Sequence, residues 1–185
     1  MENFNQRKKE ILSKKDKSSK QSWDEKIIPL CEKINGDENY YTSSSCSGRI
    51  LVIKDCDKKG PNLFEFVSHD FVDCENFLKS LPKEKAKLNL KFKQEPVIIH
   101  VACNDLDSAN ELYEKAKLVG FKRSGLVSWN KNFILELNST EKLEFPIIEN
   151  GKLLVDEIFL KKVLDISNKN LKKGWDKINK LKSNL

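Results

Sequence analysis

Hydroxyl side chains, a thiol and an arginine are concentrated in the stretch TSSSCSGRI, residues 42–50. Gly48 permits a positive φ, and successive backbone N–H groups in such a turn can form a nest for a carboxylate or a phosphate. Arg49 can add a charge-assisted contact to the same anion. The alternative is a surface turn in which the serines bond to the neighbouring backbone.

The same stretch raises the possibility of covalent chemistry at Cys46. A cysteine nucleophile requires a neighbouring base, and His69 and His100 are the two histidines of the chain. The spacing pairs neither of them with Cys46, and cysteine is also a common small core residue. On the residues alone, Cys46 is therefore either a nucleophile or a packing residue.

Two further polar features interrupt apolar segments. His100 lies in the apolar strand pattern VIIHVAC, so its imidazole either has a hydrogen-bond partner in the core or faces a ligand. The stretch GFKRSG, residues 120–125, places Lys122 and Arg123 between a predicted helix and a predicted strand, and is a candidate phosphate-binding turn. His69 follows a predicted strand, where it lies either at a sheet edge or in a loop.

Composition predicts a globular protein without a metal site. The 185 residues suit a single domain, residues 1–185, since 38% of them are apolar and 34% are charged. Five cysteines at wide spacings, with no CxxC pair, argue against a disulfide framework and a cysteine-rich zinc site, and two histidines argue against a histidine-rich one. No run is long enough to cross a bilayer and no signal peptide opens the chain, which predicts a cytoplasmic protein with no membrane partner.

The positive charge is concentrated at the C-terminal end. Residues 161–185 hold eight lysines and two aspartates, a surplus of +6 that equals the net charge of the whole chain. A basic segment of this kind is typical of proteins that bind a polyanion, with nucleic acid as the first candidate. The alternative is a solvated helix face with surplus lysine.

Periodicity predicts an α+β fold, with six to eight strands in a mixed sheet and about four helices. Strands are expected at 49–55, 63–67, 88–93, 96–103, 126–129, 133–138, 143–148 and 152–155. Helices are expected at 4–15, after a capping box that starts at Ser22, at 71–81, at 105–119 and in a basic C-terminal segment, 156–185. Pro29 is expected to kink or shorten the helix that follows Ser22. The absence of a GxGxxG after a first strand argues against the usual Rossmann nucleotide cradle.

Several of these motifs occur together, in the same order, in one known family. The pieces are the DKS and WDEKI region, YYTSSSCSGRI, SHD, IIHVAC, DLDSANELYEKAKLVGFKRSG and ELNSTEKLEFPI, and they span nearly the whole chain. On these pieces the chain resembles the tRNA wybutosine-synthesizing protein 3 family. The combination of SSCSGR, HVAC and GFKRSG at these separations is far more specific than any one of them alone.

The resemblance implies an S-adenosylmethionine-dependent N-methyltransferase with a non-Rossmann fold. Members of the family act in the synthesis of the tricyclic base wybutosine. They methylate a ring nitrogen of the modified guanosine 3′ of the anticodon of phenylalanine tRNA, after the aminocarboxypropyl arm has been attached. The implied partners are therefore S-adenosylmethionine and phenylalanine tRNA, and the reaction requires no metal.

The resemblance implies roles for the polar stretches in binding the cofactor, removing a proton and holding the tRNA. The cofactor is expected at Ser45, Ser47, Gly48, Ser124 and Gly125, with the serine loop holding a carboxylate of cofactor or substrate. A base must accept the proton of the ring nitrogen, and the unranked candidates are His100, His69 and Asp24. The cations expected to hold the tRNA are Arg49, Lys122, Arg123, Lys172, Lys173 and Lys177.

Two positions depart from the family pattern. Gln21 stands where glycine is common, and Asn138 stands where an arginine often precedes the Ser-Thr pair. If that arginine holds a tRNA phosphate or a carboxylate in the family, another cation is expected to replace it here, namely Arg49, Lys122 or Arg123. Two other functions remain open: a noncatalytic tRNA-binding module, and a thiol enzyme with Cys46 as nucleophile, which alkylation of that thiol would inactivate.

Overall fold

A computed structural model describes residues 4–14, 24–56, 62–82, 88–129 and 133–185 of the chain. These residues form five helices: α1 (Phe4–Leu12), α2 (Ile28–Gly36), α3 (Cys74–Ser80), α4 (Leu106–Leu118) and α5 (Glu157–Asn184). They also form nine strands: β1 (Tyr40–Cys46), β2 (Arg49–Lys54), β3 (Phe64–Ser68), β4 (Leu90–Glu95), β5 (Ile98–Cys103), β6 (Gly125–Ser128), β7 (Phe133–Asn138), β8 (Leu143–Glu149) and β9 (Lys152–Leu153). Gln21 and Ser22 lie outside the described residues.

The α+β class predicted from the periodicity is confirmed. The strands are divided between two sheets, one with the order β1-β5-β7-β6 and the other with the order β3-β2-β4-β8-β9. All strand pairs among the described residues are antiparallel, whereas a single mixed sheet was expected. The pairs β2–β3, β6–β7 and β8–β9 join strands that are consecutive in the chain, and such hairpins require antiparallel strands.

The chain folds into two compact units. The first consists of Met1–Ser47, Val97–Thr140 and Gly174–Leu185 and contains the four-stranded sheet. The second consists of Gly48–Pro96 and Glu141–Lys173 and contains the five-stranded sheet. The single domain predicted for residues 1–185 stays a prediction. No helix in the described part of the chain has the length and apolar character needed to cross a membrane.

The core of the first unit covers one face of its sheet. The side chains of Ile99 and Val101 on β5 and of Leu135 and Leu137 on β7 alternate along their strands and are almost completely buried in it. Helices α2 and α4 add their apolar faces to the same cluster. Asp105 caps α4 by accepting a hydrogen bond from the Ser108 N–H at 2.8 Å, which confirms the predicted start of this helix.

The helix predicted to start at Ser22 begins later, at Ile28. Before it, the chain turns, and the N–H of Ile27 donates to the carbonyl oxygen of Asp24 at 2.9 Å. Pro29 lies in the first turn of α2, where a missing N–H and a φ near −65° are tolerated. The proline therefore shortens the helix, as expected, and does not kink it.

Gly174 lies within α5, although glycine in a helix costs roughly 1 kcal/mol relative to alanine. The residue is buried, and a Cβ at this position would lie 2.8 Å from Cγ2 of Val97. Two carbon atoms do not pack at that distance. A glycine is therefore required at position 174, where α5 passes Val97, the residue that precedes β5.

Aromatic rings and one buried amide organise the second unit. The ring of Phe92 stacks on Phe145 with a centroid distance of 5.2 Å and meets Phe77 edge-on at 5.9 Å. Gln94 on β4 is 1% exposed, yet its amide oxygen accepts from Asn170 Nδ2 at 2.9 Å and its Nε2 donates to its neighbour's carbonyl oxygen at 2.9 Å. These bonds satisfy a buried polar group and connect β4 to α5.

Gly48 begins the second unit with a φ of +91°, which confirms the predicted positive φ. A Cβ here would lie 3.2 Å from the carbonyl oxygen of Glu95 and 3.2 Å from Cδ2 of Leu171. Substitution Gly48→Ala therefore combines backbone strain with two close contacts. We expect it to lower the free energy of unfolding by about 1–3 kcal/mol in urea titrations.

Gly36→Ala is the matched control for Gly48→Ala. Gly36 ends α2, has no positive φ, and a Cβ there would meet no atom within 4 Å. This variant should be neutral or stabilising by about 0.5–1 kcal/mol. Equal stability of the two variants would contradict the strain assigned to Gly48.

Candidate active site

The serine-rich stretch forms strand β1 and not the loop expected from its composition. Ser44, Ser45 and Cys46 pair with His100, Ile99 and Ile98 of β5, after an irregularity between Thr42 and Ser44. The predicted backbone nest is therefore wrong for residues 42–46, because their backbone belongs to an antiparallel ladder. Serine runs are typical of loops, but pairing with an apolar strand outweighs this weak preference.

The turn that remains after β1 is held by Asp24. Ser47 is completely buried, and both its N–H and its hydroxyl donate to Oδ2 of Asp24, at 3.0 and 3.2 Å. These bonds join the segment before α2 to the end of β1. Asp24, a candidate base, and Ser47, a candidate cofactor ligand, thus stabilise each other.

A row of polar side chains crosses the sheet face opposite the core. The register places Ser44, His100, Glu136 and Gly125 side by side on β1, β5, β7 and β6. Oγ of Ser44 lies 2.7 Å from Nδ1 of His100, and Nε2 of His100 lies 3.0 Å from Oε2 of Glu136. We call Ser44, His100 and Glu136 the polar row. The side chains of His100 and Glu136 are 32% and 29% exposed, and Ser44 is exposed, so the row can be reached by a ligand.

Asn138 extends the polar row along β7. Its Nδ2 donates to Oε1 of Glu136 at 3.2 Å, and its backbone N–H donates to Oγ of Ser124 at 3.0 Å. Its Oδ1 is buried and accepts no hydrogen bond within the described residues. A buried acceptor of this kind is costly unless a further donor reaches it.

Sequence reasoning identified His100 but missed Ser44 and Glu136. Glu136 is the one acidic residue in the apolar strand FILELN, and a single charge in such a strand is a signal for a partner on the neighbouring strand. Ser44 carries no such signal, since it is one of several consecutive serines. Only the register of β1 against β5 shows that Ser44, and not a neighbouring serine, lies beside His100.

Ser45 points to the other side of β1 from Ser44, toward Cys31. Burial raises the pKa of the Cys31 thiol to about 11, although the hydrogen bond with Ser45 acts in the opposite direction. Burial likewise raises the pKa of Cys103 to about 12. Both groups therefore stay protonated near neutral pH and are packing residues, not nucleophiles.

The GFKRSG turn is closed by its own hydrogen bonds. The hydroxyl of Ser124 donates to the carbonyl oxygen of Phe121 at 2.7 Å and accepts from the N–H of Asn138. The N–H of Arg123 donates to the carbonyl oxygen of Asn138 at 3.1 Å. The side chains of Lys122 and Arg123 are exposed, so the turn presents two cations but no unused serine hydroxyl.

The other predicted residues are distributed over both units. In the second unit, Nε of Arg49 lies 2.6 Å from Oε2 of Glu95, and the guanidinium covers the ring of Phe64 at 5.4 Å. His69 is half-buried in the bend after β3 of that unit. Lys172 and Lys173 are exposed on α5 of the second unit.

Lys177 lies on the part of α5 that belongs to the first unit. Its Nζ donates to Oγ1 of Thr140 at 3.2 Å, and its aliphatic stem lies against Gly120, where a Cβ would come within 2.8 Å of Cε. Gly120 has a φ of +108° and follows the end of α4, which is typical of a glycine after a helix. Lys177 thus packs locally, unlike the exposed Lys172 and Lys173.

The chain is similar to one protein family over nearly its whole length. The family described as "Methyltransferase TYW3" matches residues 6–185. A Pyrococcus furiosus protein named tRNA(Phe) 7-((3-amino-3-carboxypropyl)-4-demethylwyosine(37)-N(4))-methyltransferase 1 is 36% identical over 193 residues, which cover 100% of this chain and 95% of the relative. The human tRNA wybutosine-synthesizing protein 3 homolog is 32% identical over 185 residues, which cover 95% of this chain and 69% of the relative.

The fold is also found in solved structures. The structure of the PH1069 protein from Pyrococcus horikoshii superposes with a TM-score of 0.87 at 35% identity and covers 98% of this chain and 95% of that chain. A hypothetical protein from Aeropyrum pernix shares the fold, with a TM-score of 0.75 at 21% identity. The family match covers nearly the whole sequence, and the relatives match at more than 30% identity over most of their length. The chain therefore belongs to the Methyltransferase TYW3 family.

Proposed function

We propose that this chain transfers a methyl group from S-adenosylmethionine to the N4 ring nitrogen of 7-(3-amino-3-carboxypropyl)-4-demethylwyosine, next to the anticodon of phenylalanine tRNA. The observation that carries the proposal is the family match over residues 6–185, together with relatives whose names state this reaction. The polar row supports it, because it supplies a proton acceptor on an accessible sheet face.

A methyltransferase requires a methyl donor, and S-adenosylmethionine supplies an electrophilic methyl group on a positively charged sulfur. Two of the serines predicted to bind it are already engaged, since the hydroxyls of Ser47 and Ser124 bond within the protein. A better match is the buried Oδ1 of Asn138, which lacks a donor within the described residues. An ammonium group is such a donor, and the amino-acid arms of both S-adenosylmethionine and the modified base carry one.

Gly125 leaves room for a ligand beside these acceptors. It lies opposite Glu136 in the sheet, and a Cβ at this position would meet no atom within 4 Å. The residues fit the amino end of an amino-acid arm, and we assign Asn138 and Gly125 to hold it. The departure from arginine at position 138 is consistent with this role, because an amide oxygen accepts hydrogen bonds and a guanidinium cannot.

The protein's remaining tasks are alignment and proton removal. The ring nitrogen of the demethylated base carries a proton that must leave as the new bond forms. Histidine is the side chain best suited to accept it near neutral pH, and His100 is the histidine of the polar row. Holding both reactants in one orientation supplies most of the remaining rate enhancement.

Methyl transfer is the direct test of the proposed function. Purified protein should transfer the labelled methyl group of S-adenosylmethionine to phenylalanine tRNA that carries the aminocarboxypropyl-demethylwyosine base. The same tRNA with the methyl group already on the ring nitrogen is the matched control and should stay unlabelled. Binding of tRNA by folded protein without any transfer of label would favour a noncatalytic tRNA-binding module.

His100→Ala should reduce the transfer rate by a factor on the order of 10²–10⁴, because the imidazole that finally holds the substrate's proton is removed. Because the side chain is partly exposed, its removal should lower the free energy of unfolding by less than about 1 kcal/mol. Cys46→Ala, a change on the strand that pairs with that of His100, is the control and should retain most of the activity. Complete loss of activity in Cys46→Ala with an intact fold would instead indicate the thiol mechanism.

The basic part of α5 is proposed to hold the tRNA through its exposed lysines. Changing Lys172, Lys173 and Lys180 to glutamine should weaken tRNA binding and reduce the slope of log K against log salt by about 0.7–0.9 for each phosphate that is no longer neutralised. Lys177 is left unchanged, because it packs against Gly120. The control variant changes the exposed Lys9, Lys14 and Lys33, which alters the net charge equally. Equal salt slopes for the two triple variants would show that only net charge matters.

A further inference from the structure

We propose that Ser44, and not His100, receives the proton of the substrate's ring nitrogen, and that Ser44, His100 and Glu136 form a proton relay. The proposal rests on the methyl transfer proposed above and identifies the groups that perform its proton step. Ser44 then touches the reacting atoms, whereas Glu136 is a positioning residue that acts through His100.

Both ring nitrogens of His100 are already occupied. Nε2 lies 3.0 Å from Oε2 of Glu136, and Nδ1 lies 2.7 Å from Oγ of Ser44. An ionised carboxylate only accepts hydrogen bonds, so Nε2 of the neutral imidazole must carry the hydrogen. Nδ1 is then the acceptor, and the Ser44 hydroxyl donates to it. A substrate proton therefore cannot reach His100 without displacing one of these partners.

The relay ends at Glu136, whose two carboxylate oxygens both have hydrogen-bond partners. Oε2 of Glu136 bonds to His100, and Oε1 accepts from Nδ2 of Asn138 at 3.2 Å. Both oxygens of the carboxylate thus have partners, and the side chain is 29% exposed. Such a carboxylate orients the imidazole and stabilises the imidazolium that forms when Nδ1 is protonated.

At the other end of the relay, the hydroxyl of Ser44 is accessible to a substrate. Ser44 is exposed, and within the described residues its hydroxyl makes one hydrogen bond, the donation to Nδ1 of His100. A hydroxyl oxygen can accept two further hydrogen bonds, so Oγ can accept one from a ring N–H while it donates to the histidine.

Few titratable side chains of the described residues on β1, β5 and β7 face the imidazole of His100. On β1, the titratable residue two positions from Ser44 is Cys46, and on β7 the neighbours of Glu136 on the same side are Ile134 and Asn138. On β5 itself, the residues two positions away are isoleucine and alanine. Within the part of the chain that the structure describes, Glu136 is therefore the charged group of these three strands that faces the imidazole.

The proton step balances with these groups alone. The ring nitrogen forms its bond to the methyl carbon while the carbon–sulfur bond breaks with its electron pair on sulfur. The N–H electron pair stays on the ring, and the proton passes to Oγ of Ser44. The hydroxyl proton of Ser44 moves to Nδ1 of His100, which leaves an imidazolium between Ser44 and Glu136. After product release the extra proton returns to water by the same path.

The first test measures the tautomer of His100 without any ligand. Nitrogen NMR of ¹⁵N-histidine-labelled protein, at a pH where the ring is neutral, should show the hydrogen on Nε2 and a lone pair on Nδ1. Glu136→Ala should convert this state into a mixture of tautomers, whereas Ser44→Ala should preserve it. His69, the second histidine, is the internal control and should be unchanged in both variants. Wild-type protein with the hydrogen on Nδ1 would overturn the proposal.

The second test measures single-turnover methyl transfer in H₂O and D₂O with saturating donor. Ser44→Ala should slow transfer by a factor on the order of 10² and reduce the solvent isotope effect, because one of the two protons transferred in the relay is no longer present. Ser44→Thr retains the hydroxyl and should recover most of the rate. Ser43→Ala is the matched control, since the Ser43 hydroxyl bonds to the backbone oxygen of His100 and not to its ring.

The outcomes separate the two proposals. Active wild-type protein with full activity in Ser44→Ala would overturn the relay and leave the methyl transfer intact. Wild-type protein that transfers no methyl group would contradict the proposed function and remove the relay with it. A slower rate and a smaller isotope effect in Ser44→Ala, with recovery of both in Ser44→Thr, would establish the relay.

Discussion

The antiparallel pairing of β1 with β5 is the constraint on which the chemistry of the first unit depends. Side chains on paired strands project to the same face only at matching positions, so the register decides which serine faces His100. A shift by one residue would turn Ser45 toward the histidine and Ser44 toward Cys31. The Asp24–Ser47 hydrogen bonds fix the end of β1 and thereby protect this register.

Much of the fold could be predicted from local patterns. The cap at Asp105, the glycine after α4 and the Asn150-Gly151 hairpin are short-range signals, and the structure has positive φ at Gly120, Asn150 and Gly151. The division of the strands into two sheets could not be predicted in this way. It depends on pairings such as β4 with β8, whose residues are far apart in the chain, and no local pattern specifies them.

The candidate site was predictable in part for the same reason. His100 stands out in its own strand, as one polar side chain among apolar ones. Its partners could not be identified, because Ser44 and Glu136 come from segments 56 and 36 positions away and meet it only through the sheet. The composition of TSSSCSGRI also led to a wrong prediction, because its serines indicated a loop whereas residues 42–46 belong to β1. The basic character of residues 161–185 was visible directly, whereas the packing of Lys177 against Gly120 was not.

The close approach at Gly174 has a consequence for engineering this chain. Replacing a helical glycine by alanine is a standard route to greater thermal stability, because alanine has the higher helix propensity. In α5 that gain is opposed by the overlap of a new methyl group with Val97, a residue that directly precedes the strand of His100. A stabilisation programme guided by propensity alone would therefore disturb the scaffold of the site, and compensation would require a smaller side chain at position 97.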